Sequence, residues 1–138
     1  MSLQNITISS LNCIPANGGN VMHGMTKTDT GYTGFGEVYF SLINFKSVKA
    51  WKRHSKMTMN LIVPAGNVLF VFFANDKNKF REEKIGTERY KRITVPPNIW
   101  FGFKGLFNPY SIVVNIANIP HSSKEVESCS VEKINYNW

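Results

Sequence analysis

Short apolar or alternating segments recur along the chain with polar turns between them, a pattern typical of β-structure. Residues 37–43 alternate strictly, so that Tyr39 and Ser41 share one face of a strand and the apolar side chains share the other. Residues 68–74 are apolar almost throughout and predict a strand that is buried on both faces. The other predicted strands are 47–54, 57–63, 90–95, 100–103 and 111–117.

No segment keeps the 3.6-residue period of an amphipathic helix. The best candidate, 79–92, spaces its apolar residues five apart and therefore predicts a charged hairpin instead. Residues 64–66 (Pro-Ala-Gly) and 96–98 (Pro-Pro-Asn) predict turns that stop strand pairing. We therefore expect one all-β domain over residues 1–138, a sandwich or barrel, with a jelly roll as the arrangement that leaves few open edges.

The formal net charge is +7, which suggests an anionic partner such as a phosphorylated small molecule, a nucleic acid or an acidic surface. A basic surface that only keeps the protein soluble is the equally simple alternative. The first eleven residues show no export signal, and the longest apolar run is far too short to cross a membrane. We expect a cytoplasmic protein that does not bind membranes.

Few residues are spaced for metal or thiol chemistry. Cys13 and Cys129 match no metal-ligand spacing, and two free thiols are a simpler expectation than a disulfide. His23, His54 and His121 are scattered and have no carboxylate at ligand spacing. We predict no metal site and no cofactor.

Residues 51–54 (Trp-Lys-Arg-His) carry the first candidate chemistry. On a strand, Lys52 and His54 project to one face, and Trp51 and Arg53 to the other. If the first pair faces the interior of a barrel, Lys52 is partly desolvated and becomes a plausible base, while His54 titrates near neutral pH. The alternative is an edge strand with a solvated basic face.

The second candidate segment is 96–103 (Pro-Pro-Asn-Ile-Trp-Phe-Gly-Phe). Its two prolines fix the backbone, and Trp100 and Phe101 present large rigid rings of the kind that line sugar and base pockets. Such rings fill ordinary hydrophobic cores as well, so both interpretations stay open.

Six segments stand in a characteristic order along the chain: 36–41 (GEVYFS), 49–54 (KAWKRH), 57–60 (MTMN), 96–105 (with PP and WFGFKG), 118–121 (NIPH) and 134–138 (INYNW). Together they resemble the dTDP-4-dehydrorhamnose 3,5-epimerase-like family, a branch of the cupins that includes dTDP-sugar 3,4-ketoisomerases. The resemblance extends from about residue 18 to the end of the chain. It implies a cupin jelly-roll barrel, a homodimer and no required metal.

The resemblance also implies a function and a set of site residues. The ligand would be a nucleotide-linked 4-keto-6-deoxy sugar, used in lipopolysaccharide or capsule synthesis, and the reaction would be proton transfer beside its ketone. Lys52 stands where epimerases carry their catalytic histidine, and His54 matches a second histidine of the ketoisomerases. We identify no acidic partner for the histidine in the sequence, and no catalytic tyrosine in 115–120. The expected site comprises catalytic Lys52 and His54 together with substrate-binding Lys49, Arg53, Asn60, Trp100, Phe101 and Asn115.

Three hypotheses follow. The first is an isomerase or epimerase of a nucleotide-activated keto-sugar, and the second is a cupin that binds such a sugar without turning it over. The third is a barrel that binds single-stranded nucleic acid, which requires an exposed Trp51 and steeply salt-dependent binding. We expect a nucleotide sugar and not a nucleic acid as partner.

Overall fold

The computed structural model describes residues 2–138 and is built from β-strands, as the sequence predicts. The helical segments within 2–138 are three 3-10 turns of three residues each. The strands are β1 (Thr7–Ser10), β2 (Cys13–Ile14), β3 (Val21–Met22), β4 (Glu37–Asn44), β5 (Val48–His54), β6 (Met59–Ala65), β7 (Asn67–Ala74), β8 (Lys79–Gly86), β9 (Lys91–Val95), β10 (Trp100–Gly105), β11 (Tyr110–Ala117) and β12 (Val126–Ser128).

Two five-stranded antiparallel sheets face each other. The first has the order β1-β9-β6-β11-β4, and the second has the order β12-β5-β10-β7-β8. β2 and β3 pair only with each other and form a small separate hairpin. Two facing sheets with these crossovers agree with a cupin jelly roll, but the sheets do not join into the closed barrel that the sequence analysis expected.

The main core lies between the two sheets. Side chains at alternate strand positions face inward and form this core, as the period of two requires. Phe70 and Phe72 of β7 are both fully buried there. The intervening β7 residues, Val71 and Phe73, face the opposite side and are also buried. β7 is therefore covered on both faces, as predicted.

A C-terminal segment, residues 129–138, covers the outer face of the second sheet. Trp51, fully buried, packs there against Trp138 with a ring-centroid distance of 5.2 Å and donates its indole N–H to the Val131 carbonyl over 3.1 Å. Because Trp51 is enclosed by this segment, it cannot stack on nucleic-acid bases, and the nucleic-acid hypothesis loses the exposed ring that it requires.

The charged segment 79–92 is not the hairpin that its spacing predicted. β8 instead pairs with β7 along its whole length, from Asn67 opposite Gly86 to Ala74 opposite Lys79. β8 lies at the edge of the second sheet, where charged side chains protect exposed strand edges from further pairing. Its charge is a property of an edge strand and not of a turn.

Candidate active site

A cavity of about 660 Å³ lies between the two sheets. Its walls come from β4 at the edge of the first sheet and from β5 and β12 at the edge of the second, and its inner end is closed by apolar side chains of β6, β10 and β11. This volume is within the range of pockets that hold small-molecule ligands. Polar groups are concentrated on the strands that form the two walls.

His54, the last residue of β5, is the most buried titratable group on the cavity wall. Its Nδ1 lies 2.6 Å from Oε1 of Glu125, and each side chain is no more than 5% exposed. Glu125 precedes β12, and main-chain pairing of Val126 with His54 brings the two side chains together. The structure therefore supplies the acidic partner that the sequence analysis did not identify.

The Glu125 carboxylate is held on both of its oxygens. Oε2 accepts the main-chain N–H groups of Lys56 and Met57, each over 3.1 Å. Burial by itself would raise the pKa of Glu125, but the hydrogen bonds from His54 and these two N–H groups outweigh it and lower the pKa. An ionised carboxylate can only accept, so Nδ1 of His54 carries its proton and Nε2 is the basic nitrogen left for the cavity.

Tyr39 is on the facing wall, in β4 of the other sheet. Its hydroxyl oxygen accepts the Asn115 amide N–H over 2.8 Å, so the hydroxyl proton remains available to donate into the cavity. Burial is the main reason that the pKa of Tyr39 is raised, and the carboxylates of Glu37 and Glu125 contribute to the same shift. Tyr39 is thus a neutral hydrogen-bond donor opposite a histidine base.

A second polar pair lies at the rim of the cavity. The Glu37 carboxylate accepts the main-chain N–H of His121 over 2.7 Å, and both residues line the cavity. Gly36 permits this contact, because a Cβ at that position would lie 2.1 Å from the main-chain carbon of Ile119. Only glycine lets the start of β4 approach the 118–121 segment so closely.

Two lysines bring positive charge to the same cavity. Lys49 and Lys52 both line it, and both side chains are exposed to solvent. Lys49 Nζ donates to the main-chain carbonyl of Leu42 over 2.8 Å. The partial desolvation expected for Lys52 is not observed, since the residue is at an open part of the wall.

Phe101 lines the cavity beside the histidine, whereas Trp100 does not. The Phe101 ring stacks on His54 with a centroid distance of 6.1 Å and an interplanar angle of 17°. Trp100 and Arg53 lie on the other side of the sheet, where the guanidinium is 4.9 Å from the indole ring and 2.8 Å from Glu127. Neither of these two is brought to the cavity, because adjacent residues on a strand face opposite ways.

Both predicted asparagines are buried, and their amides are occupied within the protein. Asn60 faces away from the cavity and bonds to Thr94 and to the Gly31 carbonyl. Asn115 accepts the main-chain N–H of Asn60 over 3.1 Å and donates to the Tyr39 hydroxyl. Asn115 therefore orients Tyr39, and Asn60 fastens a loop onto the first sheet.

Sequence reasoning missed Tyr39, Glu37 and His121 as cavity residues, and it missed Glu125 as the partner of His54. One usable signal existed, since the polar face of β4 carries both Glu37 and Tyr39 on alternate positions. Nothing in the sequence relates Glu125 to His54 across a separation of 71 positions.

Within residues 2–138, no cluster of three or more His, Cys, Asp or Glu side chains could hold a metal ion. No helix among the same residues is long and apolar enough to span a membrane.

Comparison with models of known protein families gives no match, and comparison with curated protein sequences gives none either. Solved structures do match. A dTDP sugar isomerase from Desulfovibrio desulfuricans G20 superposes with a TM-score of 0.92 at 31% sequence identity, and the match covers 98% of this chain and 91% of that one.

Two further structures are similar at lower identity. A sugar 3,4-ketoisomerase from Thermoanaerobacterium thermosaccharolyticum in complex with TDP has a TM-score of 0.78 at 14% identity, covering 91% of this chain and 89% of that one. A dTDP-4-dehydrorhamnose 3,5-epimerase from Sulfolobus tokodaii has a TM-score of 0.83 at 17% identity, covering 99% of this chain and 84% of that one. At such identity these two similarities show a shared fold.

Proposed function

The chain belongs to the dTDP-sugar isomerase and epimerase family. We propose that it is an isomerase or epimerase of a dTDP-4-keto-6-deoxyhexose. The observation that carries the proposal is the buried His54–Glu125 pair in a cavity that Tyr39 faces from the opposite sheet. This arrangement places a basic nitrogen and a neutral hydroxyl donor on two sides of one ligand-sized space.

The first step is removal of a proton from the carbon beside the ketone. His54 Nε2 takes the proton, the C–H electron pair becomes the carbon–carbon double bond of an enolate, and the negative charge develops on the ketone oxygen. Glu125 stabilises the imidazolium that forms. The exposed ammonium of Lys52 is the group that stabilises the oxygen in either reaction, and the hydroxyl of Tyr39 can also donate to the oxygen in an isomerisation.

The enolate can then be reprotonated in two ways. In an epimerisation, Tyr39 delivers its proton to the same carbon from the opposite face. The tyrosinate then regains a proton from solvent and the imidazolium of His54 loses one to solvent, which restores both groups for the next turnover. In an isomerisation, protonated His54 returns its proton to the neighbouring carbon, and the hydroxyl proton moves to the former ketone oxygen, so that ketone and hydroxyl exchange places. Both outcomes conserve atoms and charge and need no added cofactor.

The nucleotide end of the substrate is expected at the mouth of the cavity. Lys49 and Lys52 are exposed there, and the net charge of +7 attracts a diphosphate. Free Cys13 and Cys129 agree with a reducing, cytoplasmic location, and resemblance to the family suggests a homodimer.

Incubation with dTDP-4-keto-6-deoxyglucose in deuterated water tests the proposal, with NMR to follow the sugar protons and the product. We expect a new isomer or epimer from the wild-type protein, with deuterium at the exchanging carbon whenever the base exchanges with solvent. The His54→Asn variant should form no product and should still bind the nucleotide. Saturable binding without product or deuterium in the wild-type protein would establish the alternative, a cupin that binds nucleotide sugars without turning them over.

A further inference from the structure

The connection between β11 and β12, residues 118–125, crosses from the first sheet to the second. Near its start, the main-chain N–H of His121 donates to Glu37, the first residue of β4. At its end, Glu125 pairs with His54, the last residue of β5. The connection therefore joins the two walls of the cavity at the end where the base lies.

The backbone that carries His121 is held by several contacts. Glu37 accepts its main-chain N–H over 2.7 Å, and Pro120 restricts the backbone immediately before it. Three residues earlier, the Asn118 side-chain oxygen accepts the main-chain N–H of Thr58 over 2.8 Å. These contacts use the main chain, whereas the imidazole of His121 lines the cavity and is exposed to solvent.

The proposed reaction creates a need for proton exchange at this end of the cavity. Each epimerisation leaves His54 with one proton too many and Tyr39 with one proton too few. His54 is only 5% exposed and Tyr39 is partly buried, so a sugar between them separates both groups from bulk water. In an isomerisation no proton must leave, but exchange with solvent competes with the return of the proton from His54 to the sugar.

We propose that His121 is the relay that carries protons between the cavity and solvent. This role rests on the proposed function, since the protons are those of its reaction. After an epimerisation, neutral His121 takes a proton through water from Nε2 of His54 and becomes an imidazolium. It then gives one proton to the Tyr39 oxygen and is neutral again, so the two transfers conserve protons and charge and need no co-reactant.

The path from His121 to Tyr39 is short. Glu37, which holds His121, and Tyr39 occupy alternate positions on the same face of β4, about 7 Å apart along the strand. The Glu37 carboxylate also contributes to the raised pKa of Tyr39, which reflects the same proximity. A few water molecules in the cavity can span such a distance.

The residue type of His121 fits the role. A relay at neutral pH must both accept and release a proton, and imidazole is the side chain whose ordinary pKa allows this. Carboxylates and ammonium groups ordinarily keep a single charge state at that pH. The other charged side chains of the cavity wall, Glu37, Lys49 and Lys52, are of these two types.

Turnover of dTDP-4-keto-6-deoxyglucose by the His121→Gln variant of the full chain tests the relay. Glutamine keeps the main-chain N–H that Glu37 accepts, but its side chain does not carry protons. If the reaction is an epimerisation, we expect kcat to fall by about 100-fold and excess imidazole in the buffer to restore most of it. A purely structural role of His121 would not respond to imidazole.

If the reaction is an isomerisation, the deuterium content of the product in deuterated water is the decisive measurement. We expect solvent deuterium in the wild-type product and mainly the substrate's own proton in the product of His121→Gln. His23→Gln is the matched control, since His23 is exposed just after β3 and does not line the cavity. It should keep the wild-type kcat and deuterium content.

Circular dichroism verifies that the variants are folded, and His121→Asn replaces His121→Gln if the latter is not. Four results would overturn the relay and leave the proposed reaction standing: an unchanged His121→Gln variant, a slow epimerase variant that imidazole does not restore, an isomerised wild-type product without solvent deuterium, or an equal effect in His23→Gln. A wild-type protein without turnover would instead overturn the proposed function, and the relay with it.

Discussion

Replacing Glu125 by Gln changes one oxygen to an amide group without altering the shape of the side chain. The wild-type carboxylate accepts three hydrogen bonds, one from His54 and two from the N–H groups of Lys56 and Met57. The amide has one accepting oxygen, so it cannot accept both from the His54 Nδ1–H and from the two main-chain N–H groups. Turning its NH₂ toward the two N–H groups would leave buried donors unpaired, at about 1–3 kcal/mol each.

We therefore expect the new amide of the Glu125→Gln variant to turn its oxygen toward the two N–H groups and its NH₂ toward His54. Nδ1 must then accept a hydrogen bond, which moves the imidazole proton to Nε2 and removes the base from the cavity. A histidine held in the wrong tautomer costs on the order of 10³- to 10⁴-fold in kcat, while KM should change little. Loss of the charge-assisted bonds should lower the free energy of unfolding by about 1–2 kcal/mol.

Steady-state kinetics by NMR and chemical denaturation measure the two effects. Glu127→Gln is the matched control, since Glu127 is two residues away, is exposed and pairs with Arg53 on the other side of the sheet. It should keep the wild-type kcat and change stability by no more than about 0.5 kcal/mol. A folded Glu125→Gln variant with wild-type kcat would refute the tautomer reasoning.

The same pair predicts a pH dependence of stability. The pKa of Glu125 is lower in the folded protein than in the unfolded chain, so its contribution is fully present above the unfolded value of about 4.5. That contribution is lost as the pH falls through the folded pKa. Glu125→Gln should remove this part of the acid denaturation profile.

Three further outcomes are expected. Tyr39→Phe keeps the ring but removes the donor, and kcat measured by NMR should fall by about 100-fold with KM little changed. Lys52→Ala should lower kcat/KM by about 10-fold or more. An unchanged kcat/KM would show that the Lys52 ammonium makes no contact with the substrate. Burial and the Glu82 carboxylate raise the pKa of Tyr136 to about 12, so stability should decline as the pH rises from about 10 to 12, and Tyr136→Phe should lose this dependence in thermal unfolding experiments.

Much of the β-structure was predictable, because burial on one face leaves a period of two in the sequence and burial on both faces leaves a short apolar run. This period places Lys52 and His54 on the opposite face of β5 from Arg53, and in the structure Lys52 and His54 line the cavity. The same rule explains one error of expectation. Trp100 and Phe101 are adjacent on β10 and cannot both face one ligand, so only Phe101 reaches the cavity.

The rest of the site depends on contacts between distant parts of the chain. Glu125 lies outside the regular strands and meets His54 only because β12 pairs with β5. Asn115 was predicted to bind the sugar, but it lies beside Tyr39 and its amide N–H donates to the Tyr39 hydroxyl. Local periodicity contains no information on such cross-strand partners, and charge alone did not distinguish the edge strand β8 from a hairpin.

The most direct test of His54 as the base is a structure of the protein with a dTDP-4-keto-6-deoxy sugar bound, measuring the distance from Nε2 to the carbon beside the ketone. We expect the sugar between His54 and Tyr39, with that distance at about 3–3.5 Å, the separation of reacting atoms before proton transfer. A sugar bound outside this cavity, or one with Nε2 too far from every carbon beside the ketone, would contradict it.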